Sequence, residues 1–106
     1  MYENTLIPIL YRLKAKSIIN ASIHMFLTEF FFKKTTEYHR DWEYDANTAV
    51  LNLTSCDGGT QLKLKDKEIE VESKENRIVI FNTLIKHRTI KNTTADVRYI
   101  LNMNYF

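Results

Sequence analysis

The chain has 106 residues, room for one domain with one core and too few for a second. Its 44% hydrophobic and 26% charged composition excludes a disordered or collagen-like protein. A net charge of +2, with no block of Lys or Arg, implies no phosphate-tracking surface, so nucleic acid enters only as a class of substrate.

Met1 to Thr5 lack the basic start and apolar stretch of a secretory signal. The longest apolar segment, Met25 to Phe32, is interrupted by Thr28 and Glu29 and falls short of the about 20 apolar residues that cross a bilayer. Cys56 is the single cysteine, which excludes an intramolecular disulfide and a cysteine-based zinc site. These features predict a cytoplasmic protein without a membrane partner. Leu6 to Leu13 and Ser17 to Phe32 are rich in β-branched and aromatic residues; Ser22 to Leu27 fits strand or helix, with strand favoured. Thr48 to Leu53 reads as a buried strand, Ser55 to Gly59 as a turn, and Thr60 to Leu64 as a strand of period two. Glu68 to Glu72 alternates charge with aliphatic, the pattern of a strand with one wet face, and Ser73 to Asn76 turns the chain into Ile78 to Phe81. Thr89-Ile90 and Val97 to Phe106 complete the set. Short strands about ten residues apart predict a mainly β sandwich or barrel.

The chemistry has few candidate bearers. Cys56 lies beside Asp57, whose charge disfavours a thiolate, and reads as structural. His24, in Ile23-His24-Met25, reads as a packed or surface histidine. His39 and Asp41 remain, together with His87. In an extended chain residues i and i+2 project to one side, so His39 and Asp41 present an imidazole and a carboxylate to one ion while Arg40 points away. A third ligand must then come from a distant strand, and His87 follows one. Two imidazoles and a carboxylate are the donors of the facial triad that holds non-haem Fe(II) and leaves coordination positions open. On the last strand Arg98, Ile100, Asn102 and Asn104 share one face, while Val97, Tyr99, Leu101, Met103 and Tyr105 share a greasier one. Arg98 is thus expected in a partly polar interior, where a guanidinium requires an anion. Trp42 and Tyr44 flank the His39/Asp41 pair and are read either as lining an entrance or as packing.

The order His39-x-Asp41, Thr48-Ala49-Val50-Leu51-Asn52-Leu53, Gly58-Gly59-Thr60-Gln61-Leu62, Asn76-Arg77-Ile78-Val79-Ile80-Phe81, His87 and Arg98 resembles the 2-oxoglutarate-dependent Fe(II) dioxygenases of the prolyl 4-hydroxylase type. The resemblance covers about residues 38–106. It implies a double-stranded β-helix, a jelly-roll or cupin-like fold, as one domain over 1–106, with N-terminal strands in 1–37 and the metal-binding core in 38–106. It implies Fe(II) on His39, Asp41 and His87, and 2-oxoglutarate held through its far carboxylate by Arg98. The activity implied is hydroxylation of a C–H bond by O2, coupled to conversion of 2-oxoglutarate to succinate and CO2. The substrate, a small molecule, peptide or nucleobase, is not identified. Two departures stand out: the part ahead of His39 is short for this family, and Leu51 stands in the strand where some relatives place a tyrosine that helps bind the cosubstrate. Exposed apolar strand faces predict a homodimer. A non-catalytic β-barrel binding or assembly module and a cupin-like metal enzyme without 2-oxoglutarate stand as alternatives.

Overall fold

The computed structural model describes residues 18–27 and 37–106. The expected strand Leu6 to Leu13 and the end of Ser17 to Phe32 lie outside them. Seven strands run in chain order: β1 (Ile18–Leu27), β2 (Asn47–Asn52), β3 (Gly59–Lys63), β4 (Glu68–Glu72), β5 (Ile78–Asn82), β6 (Lys86–Ile90) and β7 (Val97–Tyr105). They form two antiparallel sheets, one of four strands in the order β1-β7-β2-β5 and one of three in the order β4-β3-β6. The fold is mainly β, and the described residues include no helix long and apolar enough to cross a membrane.

Period-two patterning decides which side chains face inward. In β5, Val79 and Phe81 are buried while Ile78 and Ile80 are exposed. In β4 the glutamates face water and Ile69 and Val71 face in. Val50 of β2, Leu62 of β3, Val79 and Phe81 of β5 and Ile100 of β7 form one apolar cluster, to which both sheets contribute. A second cluster, Ala49, Leu101, Met103 and Tyr105, occupies the opposite face of the larger sheet, in line with the greasier side of β7. Leu51 packs with that second cluster. It therefore points away from Arg98, and alternation gives the interior to its neighbours Val50 and Asn52.

β6 begins at Lys86, so His87 lies within a strand, earlier than the expected strand at Thr89-Ile90. The turn into it is set by Asn82, whose side-chain oxygen accepts the Leu84 N–H at 2.9 Å while its backbone carbonyl accepts the Ile85 N–H. Asn76 in the β4–β5 connection has φ 69°, a left-handed conformation that Asn tolerates better than most residues. A polar hub closes the same corner. Ser73 is buried, and its hydroxyl donates to Asn52 Oδ1 at 3.0 Å or to the Thr54 carbonyl at 2.7 Å, while Asn52 Nδ2 donates to the Arg77 carbonyl.

Asp57 ties the β2–β3 connection to the β6–β7 connection. Its carboxylate accepts the Thr93 N–H at 2.5 Å, the Thr93 hydroxyl, and the N–H and hydroxyl of Thr94 at 3.2 Å. These donors, the Thr93 hydroxyl first, lower its pKa from 3.8 to about 2. Because the folded value is depressed, the contribution to stability is present above pH 3.8 and lost as the pH falls through about 2. Amide protection at Thr93 and Thr94 is expected to drop across that window. Asp57→Asn should show weaker protection already at neutral pH and no such step, which hydrogen exchange read by NMR will check.

Candidate metal centre

The segment that carries His39 and Asp41 is not part of a long strand. It is fastened by a single antiparallel bridge between His39 and His87, in which each backbone N–H donates to the other's carbonyl at 2.9 Å. His87 is far from His39 in sequence and its direct neighbour in space. The third candidate ligand thus comes from the adjacent strand across the sheet.

The bridge brings three donors together. Asp41 Oδ1 lies 3.6 Å from His39 Nε2 and 3.5 Å from His87 Nε2. One ligand atom from each of the three residues falls within 4.8 Å of the others. The imidazole rings of His39 and His87 stand 4.4 Å apart at 52°. Cis ligands on one octahedral ion lie about 3 Å apart at the usual bond lengths, so small side-chain rotations suffice to close the set on a metal. The cluster is graded in exposure: the His39 side chain is half exposed and His87 is buried.

Neighbouring groups orient the donors. His39 Nδ1 lies 3.1 Å from the Glu37 carbonyl, which can only accept, so Nδ1 carries the proton. Nε2, which faces Asp41 Oδ1 at 3.6 Å, is then the ring nitrogen that can offer its lone pair to a metal ion. Asn102 Nδ2 donates to Asp41 Oδ2 at 3.0 Å, which leaves Oδ1 turned to the two imidazoles and favours one-oxygen ligation. Burial pushes the His87 pKa down, with Asp41 opposing, His39 adding to the depression and the Ile85 carbonyl also opposing. The neutral form that can ligate a metal is therefore favoured at His87. The donor set fits a divalent transition metal.

A pocket of about 150 Å³ opens at these residues. Besides the three donors its wall includes His24 from β1, Thr60 from β3 and Asn102 from β7. The volume is below the range of about 300–1,000 Å³ typical of drug-sized sites and suits an ion with a small organic molecule. His24, read from the sequence as packed or surface, lies on the pocket wall with Nε2 2.8 Å from Ser22 Oγ, outside the donor cluster. Trp42 and Tyr44 are not in that wall. They stack on one another at 5.8 Å, and Tyr44 stacks on Phe106 at 6.2 Å, with all three rings partly exposed.

Arg98 is fully buried, as the polar face of β7 predicts. Its Nη1 donates to the Gly59 carbonyl at 3.0 Å, and its Nη2 to Asn52 Oδ1 at 2.9 Å with a longer contact to Thr60 Oγ1 at 3.4 Å. These three acceptors are neutral. Burial lowers the guanidinium pKa, with Cys56 opposing. Arg98 thus stands behind Thr60, which belongs both to the pocket wall and to the surroundings of the guanidinium. Gly59 permits the close approach of β4 to β3 at this end, since a Cβ there would come within 2.3 Å of the Val71 carbonyl oxygen. Asn52, Thr60 and Asn102 were not singled out from the sequence, where each is an ordinary polar residue on a strand.

No family model matches the chain, and no curated protein matches it in sequence. Among solved structures it is similar to one described as a non-heme monooxygenase, ThoJ-Ni complex, with a TM-score of 0.65 and 11% identity. The match covers 85% of this chain and 44% of the other, so this chain spans under half of that protein's length. At that identity the likeness shows a shared fold. It does not extend to the prolyl 4-hydroxylase type.

Asp41→Ala is expected to abolish binding of Mn(II) or anaerobic Fe(II) in isothermal titration. Asn102→Ala, which frees the carboxylate without removing it, is expected to weaken binding by about 10- to 100-fold.

Proposed function

We propose that the chain is a non-haem Fe(II)- and 2-oxoglutarate-dependent oxygenase of the prolyl 4-hydroxylase type, a single domain built on a double-stranded β-helix. The observation that carries the reading is the convergence of His39, Asp41 and His87 on a small pocket whose wall, at Thr60, touches a buried arginine. The chain's repeated crossing between two antiparallel sheets, at β2 to β3 and at every step from β4 to β7, supports the β-helix, and the fold shared with a non-heme monooxygenase supports the class of chemistry. His39, Asp41 and His87 are the proposed metal ligands, and Arg98 the proposed anchor for the far carboxylate of 2-oxoglutarate.

When bound, iron and 2-oxoglutarate supply the activation of O2 that converts a substrate C–H to an alcohol with release of succinate and CO2. The chain's own residues have separate tasks. The Glu37 carbonyl and Asn102 set the orientation of His39 and Asp41. Burial keeps His87 neutral and its lone pair available. Arg98 gives an incoming dicarboxylate a cation whose contacts to Gly59, Asn52 and Thr60 are with neutral oxygens, reached past the Thr60 hydroxyl. The apolar wall at Val50 and Ile100 limits water next to the metal. The substrate, a small molecule, peptide or nucleobase, enters over the exposed His39 side. We place the protein in the cytoplasm as a homodimer.

One observation favours a second reading, a cupin-like metal enzyme that does not use 2-oxoglutarate. The Arg98 guanidinium already donates to Gly59 and Asn52 and does not itself line the pocket. Anaerobic titration with Fe(II) and 2-oxoglutarate separates the two. The first reading expects a visible charge-transfer band in the parent, absent in Asp41→Ala, and at least about tenfold more 2-oxoglutarate to reach it in Arg98→Gln. Iron binding without a band, unaffected by Arg98→Gln, establishes the second. A folded protein that binds no metal removes both and leaves a non-catalytic binding module.

A further inference from the structure

On the outer side of the segments that carry the metal ligands lies a second, larger depression of about 400 Å³. Four cations line it: Arg40, Lys63, Lys65 and Lys86. Its remaining walls are aliphatic, among them Leu64 and Leu84, and no carboxylate is among its lining residues. Arg40 lies between His39 and Asp41, and Lys86 immediately precedes His87. Alternation sends His87 inward and Lys86 outward, as it does Leu62 and Lys63.

The charges are arranged against their own stability. Lys63 and Lys86 are directly opposite one another on the antiparallel β3–β6 pair, the placement in which like charges repel most. Across its other edge Lys63 faces Glu68, which offsets part of its charge. Lys65 and Lys86 have no salt-bridge partner among the described residues. Arg40 is held in place by donation from Nε to the Leu84 carbonyl at 2.7 Å, and its pairing with Glu43 is long, at 3.8 Å, with a carboxylate that is largely exposed. A fixed guanidinium and three ammonium groups, of which that of Lys63 lies over the Tyr38 ring at 5.4 Å, form a multivalent cation site around one depression, more charge than a single carboxylate would neutralise.

We propose that this groove binds adjacent phosphate groups that together carry two or more negative charges, presented by a free phosphoanhydride or by a nucleic-acid backbone. Such an anion neutralises Lys63 and Lys86 together and takes the outward donors of Arg40. The site is separate from the metal pocket and the proposal does not depend on the metal reading.

The test is titration of the full chain with pyrophosphate and, separately, with a short single-stranded oligothymidylate, at low ionic strength. The variants are Lys65→Gln/Lys86→Gln and, as a control that removes the same two charges in the β4–β5 connection, Lys74→Gln/Arg77→Gln. The proposal expects binding that weakens about tenfold or more in the groove variant and less than about twofold in the control. It further expects Lys86→Gln to melt at a higher temperature than the parent without anion, and to lose the rise in melting temperature that pyrophosphate gives the parent. Pyrophosphate binding identifies a free phosphoanhydride as sufficient; oligothymidylate binding alone identifies the backbone as the source. No binding of either, or binding weakened equally by the control, overturns the proposal.

Discussion

The two backbone hydrogen bonds that close His39 against His87 are the constraint on which the candidate site rests. The His39 segment has no long strand to hold it, so this bridge fixes its distance from β6. With it fixed, Asp41 two residues on meets both imidazoles, and Asn102 of β7 takes the carboxylate's second oxygen. A sheet edge that would otherwise end in unpaired amides ends in a cluster of donors instead. The same bridge sets Arg40 on the outer side, where it reaches the Leu84 carbonyl.

A second polar assembly stabilises the interior from the other end. Asn52 Oδ1 accepts from Arg98 and is within reach of Ser73, and its amide nitrogen caps the Arg77 carbonyl. Buried polar groups are costly unless their hydrogen bonds are made, and here a cation, an amide and a hydroxyl meet beside the corner that joins β4 to β5. The candidate ligand cluster and this assembly are built from different segments of the chain. Thr60 is the residue they share through the pocket wall.

The strands were legible because alternation is a local signal. The glutamates and aliphatics of Glu68 to Glu72 and the split faces of β7 declare which side is wet before any partner is known. The shared projection of His39 and Asp41 follows from the same period. What the sequence concealed are residues whose role comes only from neighbours. Asn52, Thr60 and Asn102 have no visible partner until β7 lies beside β2 and Arg98 points between the sheets, even where the strand pattern already puts them inside. His24 gave no sign of lining the pocket, since its place on the wall depends on pairing with Ile100. The four cations of the outer groove are scattered from position 40 to position 86, so no run of basic residues announces them.

The strand order also governs how the chain reaches this state. Among the described residues, no strand of the four-stranded sheet is bonded to its neighbour in sequence, and the only sequence-adjacent pair in either sheet is β3 with β4. Nearly every pairing must therefore close a long loop before it gains any contact, which slows folding relative to a protein assembled from hairpins. The β3–β4 hairpin is the natural nucleus, with β6 added to its free edge and the His39 segment added to β6. Three ligands spread over that sequence of events cannot gather an ion from the unfolded chain at useful affinity. A metal would thus arrive at a cage already assembled, and its removal should leave the cage standing, unlike small zinc domains in which the ion is what holds the chain folded.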